Sequence, residues 1–209
     1  MGDINQMHFL RKKVPLVDGP VLEIGSKNYG NTSSFRQTFT TVPYVGVDLA
    51  DGLGVDVVAD LTAGIGTLPE NHFALAICCS VLEHVHKPWL MAENIARLVR
   101  PGGQLYVSVP WVWRYHPYPD DYFRFSFRAI KSLFEHFSWD RAYYSTTVDG
   151  EFFPIDEAKP GVDNTLAIFS GPNEQSKRKY LPYLMVNMIG RRLAQPATNP
   201  RDVRAIKAA

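Results

Sequence analysis

Cysteine is nearly absent from this 209-residue chain: there are two, Cys78 and Cys79, adjacent and inside an apolar run. Adjacent cysteines are poor disulfide partners, and no C-x-x-C spacing offers a zinc signature. The pair reads as two buried thiols of a reducing compartment, and no metal is expected. An excess of charge of one sign is also lacking. Lys and Arg number 22 against 21 Asp and Glu, for a formal net charge of +1, and no long basic face is present. That balance argues against nucleic acid as a partner. No stretch reaches the ~18 apolar residues of a membrane span, and the N-terminal residues lack the apolar core of a leader. Internal repeats and low-complexity tracts are missing as well. Together these absences point to a cytoplasmic globular protein, and 45% hydrophobic residues suffice for a substantial core.

The chain is organised around Val21-Leu22-Glu23-Ile24-Gly25-Ser26-Lys27-Asn28-Tyr29-Gly30, an apolar strand that breaks into a glycine-bearing polar loop. Tyr44-Val45-Gly46-Val47-Asp48 is a second apolar run that ends on a carboxylate. In a doubly wound parallel sheet the ligand sits outside the carboxyl ends of the strands. A glycine there admits a close backbone approach, and an acid closing the next strand can accept from a ribose diol. A dinucleotide site needs G-x-G-x-x-G to wrap a pyrophosphate, and that pattern is absent. Glu23, an acid within the first strand, suits a cationic ligand better.

Further strands are expected at Val55–Asp60, Phe73–Ser80 and Leu105–Val109, the second of these apolar almost throughout, as a strand buried on both faces should be. A helix is predicted from about Pro88, with Met91, Ile95, Leu98 and Val99 on one face and Pro101-Gly102-Gly103 as its stop. The first helix, after Gly30, is expected to be short or irregular, and a lead-in helix precedes Asp18-Gly19-Pro20. Alternating strand and helix signals point to a parallel α/β sheet. Ser126 reads as the N-cap of a helix bearing Phe127, Ile130, Phe134 and Phe137. Arg141–Thr147 and Thr165–Phe169 are two late strand candidates.

From about residue 20 to 170 the sequence resembles the class I S-adenosylmethionine-dependent methyltransferases, of the type 11-like kind. Glu23-x-Gly25 resembles the first motif of that family. Ser80-Val81-Leu82-Glu83-His84-Val85 resembles the loop after its fourth strand, and Leu98-Val99-Arg100-Pro101-Gly102-Gly103 its junction with the fifth. The resemblance implies a Rossmann-like, doubly wound, mostly parallel seven-stranded sheet with an antiparallel closing hairpin. It also implies S-adenosylmethionine as cofactor and S-adenosylhomocysteine as product. Carried over residue by residue, the cofactor-binding set is Glu23, Gly25, Ser26, Asp48, Leu49, Asp60, Leu61, Ser80 and Val81. Asp48 matches the acid that holds the ribose, and Asp60-Leu61 the pair that holds the adenine.

The second informative stretch is Pro110 to Phe125, where aromatics, a histidine, acids and arginines crowd together after strand five. It resembles the His-x-x-Pro-x-Asp-Tyr-x-Arg-Phe pattern that a subset of the family carries at the acceptor's position. A hydroxyl acceptor needs a base, and histidine is the usual one near neutral pH. His116 is therefore the candidate base and Asp121 its orienting partner, with Trp111, Tyr115, Tyr122 and Arg124 as candidate acceptor contacts. The plainer alternative is that Asp121 and Arg124 pair to fix the loop and His116 is a turn residue. Glu83 and His84 read either as site residues or as anchors of their own loop.

Residues 1–170 are expected to form the methyltransferase domain and 171–209 a basic, amphipathic tail. Within the tail Leu181, Leu184, Met185 and Met188 fall on one helical face between basic flanks. Such a helix can pack on its own domain, touch a membrane surface peripherally, or make a homodimer contact. The expected function is methyl transfer to a small-molecule oxygen or nitrogen. The rival is a catalytically silent domain that binds a partner.

Overall fold

The computed structural model describes residues 4–14, 16–30, 34–117, 119–158 and 183–194. Among them the elements run α1 (Ile4–Lys13), β1 (Val21–Ile24), β2 (Tyr44–Asp48), β3 (Val57–Val58), β4 (Phe73–Cys79), α2 (Pro88–Leu98), β5 (Val99–Val112), α3 (Phe127–Leu133), β6 (Phe137–Ser145), β7 (Phe152–Pro154) and β8 (Leu184–Arg192). Short 3-10 turns follow β1 at Phe35–Thr38 and β4 at Leu82–His84. All eight strands form one sheet in the order β3-β2-β1-β4-β5-β8-β6-β7. The strands from β3 to β5 pair in parallel, and β8 enters antiparallel to both β5 and β6. This is the expected Rossmann-like α/β sheet, with an eighth strand, the three-residue β7, added at its edge.

The order reverses between β1 and β4, which places the switch point of the sheet at the loops after those two strands. One face packs on α2 and α3 through Leu22, Ile24, Ala76, Cys78, Leu105 and Val107. The other carries α1, whose Phe9 stacks on Tyr106 at 5.0 Å between ring centroids. No helix among the described residues is long and apolar enough to cross a membrane.

Two expectations need correction. The tail stretch from Leu184 is a strand, not an amphipathic helix: residues 184–190 are buried in sequence, as they must be between two strands and two covered faces. Asn187 in its centre meets Tyr106 Oη at 2.9 Å and donates to Ser145 Oγ at 2.8 Å. The sheet thus runs past position 170, and the closing strand is Leu184–Arg192. Phe137, expected on the third helix, instead opens β6. The strand proposed at Thr165–Phe169 and Leu181 lie outside the described residues.

Candidate active site

Gly25 ends β1 at φ 73°, and a Cβ built there would stand 2.4 Å from Val81 Cγ2. Only glycine lets the loop after β1 lie this close against the loop after β4. Asp48, at the end of β2, accepts from the backbone N–H of Lys27 at 3.1 Å and of Ala50 at 3.2 Å. Its carboxylate therefore shapes the glycine loop as well as facing the open end of the sheet. Asp60 closes an Asx turn on Thr62, through the backbone N–H at 2.8 Å and the hydroxyl at 2.7 Å. Leu61 is buried beside it, its carbonyl accepting from Asn94 at 2.9 Å.

Around these strand ends Tyr29, Leu49 and Leu53 are each more than half exposed. Ser26 Oγ is buried without a hydrogen-bond partner among the described residues. Exposed apolar side chains and an unsatisfied hydroxyl thus gather at the end of the sheet where parallel α/β folds bind ligands. Ser80, at φ 53°, accepts from Gln6 Nε2 at 2.8 Å, so α1 is tied to the loop after β4. Inside β1, Glu23 accepts from Tyr44 Oη at 2.6 Å. Burial pushes its carboxyl up to about 7, with Tyr44 and nearby Arg36 pulling the other way. Arg36 in turn pairs with Asp56, which accepts from Gly46 N.

The long loop after β5 folds back onto the 3-10 turn after β4. Tyr122 and Phe123 donate their N–H groups to Glu83 O at 2.7 and 3.3 Å, and His84 Nδ1 lies 2.6 Å from Asp120 O. Arg124 holds this loop from within. It grips Asp121 at both carboxylate oxygens, at 2.5 and 2.7 Å, and donates to the carbonyls of Trp113, Arg114 and Phe123. Those bonds hold the Asp121 carboxyl down to about 2. A guanidinium so committed fixes the loop, and its donors are spent on that task. Asp121 also accepts from His116 N at 2.8 Å and lies 3.2 Å from His116 Nδ1, an orienting contact for the imidazole. Thus the loop-fixing pair and the oriented histidine coexist.

Of the candidate acceptor contacts, Tyr115 and Tyr122 stand exposed at the mouth, whereas Trp111 packs on the core. Sequence reasoning did not join Glu83, His84 and His116 into one group. One potential ligand atom from each lies within 4.8 Å of the others. Glu83 is buried, its carboxyl pushed up to about 8 by burial, and its Oε2 has no hydrogen-bond partner among the described residues. The 31 residues between the two histidines hide this pairing from any local motif; only the docking of one loop on the other creates it.

Comparison with known proteins agrees with this architecture. Residues 6–148 match the family model described as a methyltransferase domain. Among solved structures, a SAM-dependent methyltransferase from Archaeoglobus fulgidus superposes with a TM-score of 0.57 at 13% identity, covering 90% of this chain and 93% of that one. Burkholderia thailandensis 1,6-didemethyltoxoflavin-N1-methyltransferase, with 1,6-didemethyltoxoflavin and S-adenosylhomocysteine bound, gives 0.53 at 17% identity over 83% and 71%. Haemonchus contortus phosphoethanolamine N-methyltransferase 2, in complex with S-adenosyl-L-methionine, gives 0.57 at 16% identity over 91% and 53%. No curated protein matches significantly. The match over most of the length decides the family: this chain belongs to the methyltransferase-domain family and has the fold of its class I members.

Proposed function

We propose that this protein transfers a methyl group from S-adenosylmethionine to a small-molecule acceptor at oxygen or nitrogen, where the loops after β4 and β5 meet. The observation that carries the reading is the docking of the β5 loop on Glu83, beside strand ends that present Gly25 and Asp48. Gly25, Ser26, Ser80 and Val81 form the cradle for the methionine portion of the cofactor. Asp48 and Leu49 serve the ribose, Asp60 and Leu61 the adenine, and Glu23 the positive charge. The buried, unpartnered Ser26 hydroxyl and the exposed Leu49 fit such a group.

The bound cofactor supplies an electrophilic methyl on a sulfonium. The chain's own work is to align the acceptor in line with that methyl and exclude water. Tyr115 and Tyr122 flank the acceptor, and His116, oriented by Asp121, takes the proton of a hydroxyl acceptor. Arg124 acts through Asp121 as a positioning residue.

His116→Ala is expected to leave the S-adenosylhomocysteine dissociation constant within a few-fold. Turnover, read as S-adenosylhomocysteine release across a panel of hydroxyl and amine acceptors, should fall about 10²–10⁴-fold, the usual contribution of a placed base. Unchanged turnover would shift the reading to an amine that needs no base. Cofactor binding with no turnover on any acceptor would favour the silent binding domain.

A further inference from the structure

We infer that Glu83, His84 and His116 hold a divalent transition-metal ion, with zinc the first candidate, at the mouth where the methyl acceptor enters. The site rests on the methyltransferase reading only for the ion's use; its geometry stands alone. The three side chains offer one carboxylate and two imidazoles within 4.8 Å of one another. Two histidines and one carboxylate make a known ligand set for catalytic zinc and related ions, with a further position left open.

The second observation is Glu83 itself. Its side chain is 1% exposed, and Oε2 has no hydrogen-bond partner among the described residues. His84 Nε2 lies 3.9 Å from Oε1, too far for a hydrogen bond. A buried carboxyl oxygen left without a partner is costly, and a cation against it removes that cost.

The surroundings are those of ligands already oriented. His84 Nδ1 meets the carbonyl of Asp120 at 2.6 Å, which puts its proton there and leaves Nε2 with the lone pair. His116 Nδ1 faces two acceptors, Arg114 O at 3.1 Å and Asp121 Oδ2 at 3.2 Å, with Arg124 Nη2 at 3.5 Å the one donor among the described residues. Its proton therefore sits on Nδ1, and Nε2 is again the free nitrogen. An outer acceptor on the far nitrogen of each histidine is the usual arrangement around a metal. Arg124 is paired with Asp121, so Glu83 is the carboxyl left to face an ion. Ligands around tetrahedral zinc stand roughly 3.3 Å apart, given bonds of about 2.0–2.1 Å, so the cluster must close by about 1–1.5 Å. Side chains of His84 and His116 that are 15% and 28% exposed have room to do so.

With an ion in place His116 would be a ligand and no longer the base of the ion-free site; the open position would take an acceptor hydroxyl, which the ion would acidify so that its proton leaves to solvent. An acceptor with an acidic hydroxyl, such as a phenol, fits that single position.

The test uses the full, untagged chain stripped with a chelator and then titrated with Zn²⁺, and with Co²⁺ as an optical probe. The expected result is a single tight ion per chain and the intense visible bands of four- or five-coordinate cobalt. Glu83→Gln, which keeps the shape of the buried side chain, and His84→Ala should each weaken binding by about 100-fold or more. Asp121→Asn should weaken it about 10–100-fold, the usual loss for an outer partner. His86→Ala, at an exposed neighbouring imidazole, should leave it unchanged. Circular dichroism on each variant separates loss of the ion from loss of the fold. Substoichiometric binding, an octahedral aqua-type cobalt spectrum, or an equal loss in His86→Ala would overturn the inference. S-adenosylhomocysteine calorimetry on the same samples keeps the two readings apart: cofactor binding without metal overturns the ion alone, and metal binding without cofactor overturns methyl transfer alone.

Discussion

Gly25 links backbone conformation to site shape most directly. Its φ of 73° and its 2.4 Å approach to Val81 exclude a side chain for two separate reasons. Gly25→Ala should destabilise the protein by about 1–2 kcal/mol for the backbone conformation alone, and by more for the contact. In a Val81→Ala background the contact share should vanish and the backbone share remain. Urea denaturation of the four proteins in this cycle reads both, and an equal cost in the two backgrounds would show that Val81 is not what excludes the side chain.

Glu23 makes a pH statement. Its carboxyl is raised from 4.5 to about 7 by burial. Below about pH 4.5 both folded and unfolded forms are protonated, and the stability tied to the neutral acid is fully present. Between 4.5 and 7 only the folded form keeps the proton, so stability falls as pH rises and levels off above 7. Relative to the wild type, Glu23→Gln should therefore gain on the order of 2–3 kcal/mol between about pH 5 and about pH 8. Chemical denaturation at the two pH values checks this, and a pH-independent difference would mean that Glu23 is ionised when buried.

Among the elements, β8 carries the lesson about what the sequence could not show. Leu184 to Ile189 is a short apolar run, and periodicity alone does not separate a doubly buried strand from one face of a helix. Its methionines and leucines are good helix formers, while the buried Asn187 is satisfied only by partners from β5 and β6 far away in sequence. By contrast β1, β2 and β4 were legible because each ends at a glycine, acid or serine that also shapes the ligand loop. Because β8 lies between β5 and β6, a chain ending at residue 170 loses the strand that joins them. Such a chain should show no cooperative thermal transition by circular dichroism. A melt like that of the full chain would contradict the assigned strand order.

Taken whole, the molecule divides into a part written locally and a part created by folding. The strand ends proposed to hold the cofactor, Glu23 to Ser26 and Asp48, sit in contiguous motifs and could be read from them. The group of Glu83, His84 and His116 could not, since it exists only where two loops dock. For Arg124 the pairing with Asp121 was one of the two readings the sequence offered, whereas its bonds to the carbonyls of Trp113 and Arg114 become visible only once the loop has closed. The central claim concerns the open end of the sheet, and it calls for binding rather than turnover. Isothermal titration of the intact chain with S-adenosylhomocysteine, and in parallel with a nicotinamide dinucleotide, tests it without knowledge of the acceptor. The account predicts saturable binding of the adenosyl ligand with a dissociation constant in the micromolar range and none of the dinucleotide. Tight dinucleotide binding, with no heat from the adenosyl ligand, would contradict it.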